Sequence, residues 1–177
     1  MNMQMNLKSL SEIKKKFKDI LKDKEVYDIV LFGSFVKGNS FPRDIDVAII
    51  SEKKDFKLSG FHISILSIGD FFKPLSLVNT LFREGYSLKN NKFFSEVYGF
   101  KNKCLFKYAL TNLSASKKVS VVNFLRGKGN ERGLVKEKGG EWISNQVFLC
   151  PVFSEFIFDK FFVNLKIKFK KFYCLID

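Results

Sequence analysis

The sequence predicts an α/β (α+β) protein in two parts: a small mixed β-sheet domain flanked by helices over residues 1–100, and a second, basic α/β domain over 101–177. Three observations predict it. Strand-like and helix-like patterns alternate along the chain, the pattern restarts near residue 100, and the charge is uneven. Residues 1–100 hold 16 Lys and Arg against 12 Asp and Glu, whereas 101–177 hold 15 against 6, so the second part carries most of the positive field. A length of 177 residues suits one compact domain or two small ones and excludes a large multidomain enzyme.

Taken in order, Leu10, Ile13, Phe17, Ile20 and Leu21 recur at helical spacing and predict an amphipathic helix over 9–23, with Ser9 and Glu12 spaced as a capping box. VYDIVLF (26–32) reads as a buried strand closed by Gly33-Ser34. A short helical turn and a loop containing Gly38, Asn39 and Pro42 lead to a strand at 44–50, and a polar connection leads to another at 61–67. A helix follows Pro74. Beyond residue 100 the expected order is a strand at 104–110, then a helix opened by Ser114 or Ser116 with Val119, Val122, Phe124 and Leu125 on its apolar side. A Gly-rich charged segment at 126–133 precedes a strand near 146–152, a helix near 154–163 and a strand at 165–175. In that last strand Leu165, Ile167 and Phe169 alternate with Lys166, Lys168 and Lys170.

Composition narrows the function classes. With 46% hydrophobic and 28% charged residues the chain can fold around a core. Cys104, Cys150 and Cys174 are too few and too far apart for a disulfide framework or zinc site, and they read as reduced thiols. No apolar run is long enough for a membrane span and the first residues lack a signal-peptide core, so a cytoplasmic protein is expected. A net charge of +13 favours polyanionic partners. Lys and Phe are abundant together, so the basic excess supports such a partner without selecting it.

The segment that carries chemistry is LFGSFVKGNSFPRDIDVAII (31–50). Asp44 and Asp46 stand two apart at a strand start, where period-two alternation aims both carboxylates to one side. Such a pair, completed by phosphate oxygens and water, suits Mg²⁺ or Mn²⁺. Gly33-Ser34 can present backbone N–H groups and a hydroxyl to an anion. A triphosphate chelated to the ion fits between the two seats.

LFGS (31–34), Lys37-Gly38, DIDV (44–47) and LFREGYSL (81–88) together resemble the nucleotidyltransferase superfamily that includes DNA polymerase β, in particular its small MNT-type members, over about residues 10–90. The resemblance implies that Gly33 and Ser34 bind the phosphates of an NTP, with Lys37 and Arg43 adding positive charge to the nucleotide site. It implies that Asp44 and Asp46 hold Mg²⁺ or Mn²⁺ and that a nucleotidyl group is transferred with loss of pyrophosphate.

Two departures from the family pattern bear on activity. Working members carry a third carboxylate on the next strand, where this chain has His62 and Ser64 on the shared side. Asp55 and Asp70 lie in the flanking connections as alternative sources of that acid. Arg43 stands where the family often has Ser, and its cation can either bind nucleotide or partly replace a metal.

The second part adds Arg126, Lys128 and Arg132 among glycines, a pattern that permits backbone approach to phosphates and is expected to contact RNA or DNA. The leading expectation is a metal-dependent nucleotidyltransferase acting on RNA or another polyanion. The alternative is a non-catalytic nucleotide- or nucleic-acid-binding protein whose domain lacks the third carboxylate. A third reading, the enzyme partner of a toxin–antitoxin pair, is disfavoured by the basic second half.

Overall fold

Two strands anchor the first half of the chain because they are apolar on both faces. β1 (Val26–Phe32) buries Val26, Ile29, Val30 and Leu31, and β2 (Ile45–Ser51) buries every residue from Val47 to Ser51. Such unbroken runs belong to central strands covered on each side. β1 and β2 pair antiparallel, and β3 (Phe61–Leu66) joins β2 in parallel. The computed structural model describes residues 7–37 and 44–177; the expectations for Gly38, Asn39, Pro42 and Arg43 lie outside the described residues. The chain divides into two units, Met1–Lys101 with Asp177 and Asn102–Ile176.

The sheet of the first unit runs β3-β2-β1-β4-β5, where β4 (Tyr86–Ser87) and β5 (Lys92–Phe93) are two-residue strands. These two were not expected, since two residues carry no periodicity; pairing of Val30 with Ser87 creates them. One face is covered by α1 (Leu7–Lys16) and α2 (Lys18–Lys22); Leu10 and Ile13 of α1 and Phe17 between the two helices pack with Ile29, Leu31, Val47 and Ile49. The other is covered by α3 (Ser76–Glu84) and α4 (Phe94–Val97), with Val78, Leu81 and Phe94 against Val30, Ala48, Ile50 and Leu66.

The single helix expected over 9–23 is broken at Phe17. This residue is fully buried, its ring 4.9 Å from that of Phe61, and its backbone relaxes while helical hydrogen bonds continue on both sides, from Phe17 N–H to Ile13 O and from Leu21 N–H to Phe17 O. Ser9 lies inside α1 rather than at its cap.

In the second unit the order is β7-β8-β6-β9, made of β6 (Lys101–Ala109), β7 (Glu141–Ser144), β8 (Val147–Pro151) and β9 (Lys168–Ile176). α5 (Ala115–Arg126) is capped by Ser114, whose hydroxyl accepts from Lys117 N–H. α6 (Leu134–Glu137) and α7 (Glu155–Asn164) follow. Phe106, Phe148, Phe158 and Phe162 are fully buried in one cluster, so the phenylalanine excess fills a core. Each such ring contributes roughly 2 kcal/mol by burial. The apolar side of α5 is corrected: Val121 and Leu125, four apart, face the core, while Val119 and Phe124 are exposed. Leu165 is exposed too, because the chain turns at Lys166 (φ 53°) and the strand begins only at Lys168. Cys104 and Cys150 are free thiols opposite one another on β6 and β8. The bond to Cys150 and burial push the Cys104 thiol up, as in an unreactive core cysteine.

Buried Asp28 ties β1 to β4. It accepts from the Ser87 hydroxyl at 2.7 Å, from Asn90 Nδ2 at 3.2 Å and from Ile29 N–H at 2.7 Å. Burial raises its pKa above the ordinary carboxylate value against the opposing effect of these bonds. A carboxyl whose pKa is raised by folding costs stability fully above its folded pKa and not at all below its unfolded one. Relative to Asp28→Asn, the wild type should therefore gain stability as pH falls from 7 towards 4. Urea unfolding across that range checks it; a difference independent of pH would contradict the assignment.

Candidate active site

The antiparallel pairing of β1 with β2 and the parallel pairing of β2 with β3 place Phe32, Asp46 and His62 in one row across three strands. Partners in register share a face, so Asp46 and His62 lie on the α3 side of the sheet, at its end. Val30, Ala48 and Ser64 form the next row inward. Of the two residues expected at the third-acid position, His62 is therefore level with Asp46, and half-buried Ser64 sits beside Ala48.

Asp46 is held from two sides. His62 Nδ1 lies 3.1 Å from Asp46 Oδ1, and because a carboxylate only accepts, Nδ1 carries the proton in this contact. Oδ2 faces Gly33, where a Cβ would overlap it. Gly33 also has φ 75°, a left-handed conformation that side chains resist. Its turn is closed by Lys37 N–H donating to Gly33 O at 3.3 Å, and Ser34 is exposed on it. Asp44, one residue ahead of β2, is exposed.

Lys37 Nζ lies 3.0 Å from Glu84 Oε2 at the end of α3. Glu84 is buried and also accepts from Arg83, at 3.2 Å from Nε and 3.1 Å from Nη2. Sequence reasoning missed Glu84 as a site residue. The Arg-Glu-Gly run at 83–85 was its only visible signal, since the pairing joins positions 47 apart.

The alternative sources of a third acid fare differently. Asp70 accepts from Ser67 N–H and hydroxyl, both at 2.9 Å, and pairs with Lys73 at 2.7 Å. The Lys73 bond, with those from Ser67, holds its carboxyl down at about 2, so it caps the 3₁₀ turn Ile68–Phe72. Asp55 is exposed in the connection before β3. Among the described residues no group of three His, Cys, Asp or Glu side chains is placed to hold a metal ion. Asp44 and Asp46 suit a divalent cation as oxygen donors, provided a substrate supplies the remaining oxygens.

The family model of the nucleotidyltransferase domain matches residues 10–123. This chain belongs to that family. The match takes in the Gly-Ser turn, the Asp-x-Asp strand and the Arg-Glu-Gly helix end, and it runs past Lys101 into β6 and α5. No curated protein and no solved structure matches the chain. Membership points to nucleotidyl transfer in general as the chemistry of the domain. No helix among the described residues is long and apolar enough to cross a membrane.

The remaining expected residues of this family member lie in the second unit. Arg126, the last residue of α5, stacks its guanidinium 4.1 Å from the Trp142 ring and reaches Ser144 O at 3.5 Å. Lys128 and Arg132 are exposed on the loop that follows. Gly127 and Gly133 are needed by the loop itself, since a Cβ on either would overlap backbone of the opposite limb. Only Gly129 has open space around it among the three.

Gly33→Ala should cost more than the roughly 1–2 kcal/mol of a left-handed side chain, because the new methyl also displaces Asp46. Thermal unfolding should show a lower midpoint, and Mg-NTP affinity by calorimetry should fall at least about tenfold. Unchanged affinity would separate Asp46 from nucleotide binding.

Proposed function

We propose that this nucleotidyltransferase moves a nucleotidyl group from an NTP to a hydroxyl of RNA or another polyanion, with Asp44 and Asp46 holding Mg²⁺ or Mn²⁺. The observation that carries the reading is the Asp46 carboxylate seated against the bare Cα of Gly33, which joins the acidic strand to the phosphate-binding turn. Gly33 and Ser34 bind phosphate oxygens through N–H groups and hydroxyl, and Lys37, steadied by Glu84, adds a cation beside them. Arg43 belongs to the same nucleotide site by its place next to Asp44. The ion supplies charge neutralisation on the triphosphate and lowers the cost of attack at the α-phosphorus. The acceptor oxygen forms the new bond to that phosphorus, the bond to pyrophosphate breaks, and the proton of the acceptor hydroxyl passes to solvent water. The positive second unit supports a polyanionic acceptor.

A second reading is favoured by one observation, the imidazole of His62 in the row of Asp46. With His62 in the third-carboxylate position, two carboxylates remain, and the nucleotide-bound ion keeps its phosphate ligands while the acceptor side is weakened. Nucleotide binding then outlives chemistry, as in a binding protein built on this fold.

Two measurements distinguish these readings. Asp44→Asn or Asp46→Asn should lower transfer of labelled nucleotide to RNA by several powers of ten, through loss of transition-state charge stabilisation. Calorimetric Mg-NTP binding that persists in an Asp44→Ala, Asp46→Ala double variant would sink the metal assignment. Separately, His62→Asp should raise transfer, and more with Mg²⁺ than with Mn²⁺, since Mn²⁺ accepts a nitrogen donor more readily. Binding of Mg-NTP without transfer by either the wild type or His62→Asp would establish the binding-only reading.

A further inference from the structure

The second sheet has one face occupied by α7. Phe106 of β6 and Phe169 of β9 both pack against Phe162, and Lys171 Nζ lies 2.6 Å from Asp159 Oδ2 and 3.5 Å from Glu155 Oε2, all on that helix. Strand alternation aims the residues between them the other way. On that outer face stand Lys107 of β6 and Lys168, Lys170 and Phe172 of the neighbouring β9, all exposed. Lys103 shares the face but is half-buried and pairs with Glu141 at 3.9 Å.

At Lys171-Phe172 the polarity of the strand inverts. The lysine turns inward, neutralised by two carboxylates, while the phenylalanine turns outward and is 53% exposed. Lysines alone on an edge strand guard against edge-to-edge pairing. An aromatic ring at the end of the lysine row defeats that purpose, because it restores apolar surface to the edge. Cations in a row followed by an open aromatic ring are what a single nucleic-acid strand requires, with phosphates on the cations and a base stacked on the ring.

We propose that the outer face of β6 and β9 binds single-stranded nucleic acid, with phosphates on Lys107, Lys168 and Lys170 and a base on Phe172. From Lys168 to Phe172 the strand covers roughly 13 Å, too long for one mononucleotide. A strand face also has no protruding helix or ribbon with which to enter a duplex groove. The surface is distinct from the Asp44/Asp46 site and needs neither NTP nor metal.

Fluorescence anisotropy with a labelled 20-nucleotide oligo(U) and a duplex of equal length, without NTP or divalent ion, tests it. The full chain should prefer the single strand. Lys107→Ala, Lys168→Ala and Lys170→Ala together should reduce the slope of log affinity against log salt by about 2, at roughly 0.7 per phosphate contact. Phe172→Ala should weaken binding about tenfold with the slope unchanged, and Phe172→Tyr should retain it. Arg126→Ala, Lys128→Ala and Arg132→Ala together should lower the slope by less than the sheet variant does. Absence of binding, equal binding of duplex, or a slope that responds to the loop variant and not to the sheet variant would each overturn the proposal. Circular dichroism melts matching the wild type exclude misfolding of these surface variants, and unaltered Mg-NTP binding keeps the result separate from the fate of the catalytic reading.

Discussion

The contact between the Asp46 carboxylate and the bare Cα of Gly33 is the constraint on which the candidate site depends. It exists only because β1 and β2 pair in the register that sets Phe32 opposite Asp46. That register is enforced from both faces: Ile29, Leu31, Val47 and Ile49 fill one core, and Val30, Ala48 and Ile50 fill the other. A slip of one residue would send Asp46 into the apolar layer beneath α1 and bring core residues to the site. Two-sided burial thus does more than stabilise the sheet, since it fixes where a charged group stands.

Three of the partly or fully buried carboxylates of the first unit are accommodated in three different ways. Asp28 is satisfied by neutral donors, and burial wins, raising its pKa. Glu84 is met by two cations, Lys37 and Arg83, and so anchors the turn that starts at Gly33. Asp46 keeps partial exposure and a single imidazole neighbour. Only the last arrangement leaves acceptor capacity directed at solvent, which is what a ligand site needs. The three carboxylates are therefore chemically distinct although each is carried by the same small sheet and its helices.

The second unit is organised by aromatic packing and by local closure. Phe106, Phe148, Phe158 and Phe162 share one cluster, with Phe106 and Phe148 stacked 5.3 Å apart. Stacked and tilted rings add specificity to plain burial. In the 126–133 loop the glycines serve chain closure, and Arg126 is drawn onto Trp142. Part of the positive charge of this unit thereby stands on a loop whose geometry is self-contained and part on a sheet face whose lysines point outward.

Local pattern was enough to determine β1, β2, β3 and α3, because each is written in contiguous residues, unbroken apolar runs or a proline ahead of a helix, whereas it left Ser114 and Ser116 open as the cap of α5 and the structure selects Ser114. The Gly-Ser turn and the Asp-x-Asp strand were legible for the same reason, and the family follows from them. The two-residue strands β4 and β5, the break at Phe17 and the inward turn of Lys171 were decided by tertiary contacts, since no local pattern encodes a partner dozens of residues away. The choice of His62 over Ser64 beside Asp46 was decided in the same way: alternation places both on one face, and only the parallel register of β3 on β2 says which of them is level with the carboxylate. Sequence periodicity specifies the side of a strand, whereas the offset between strands comes from how two cores pack around them.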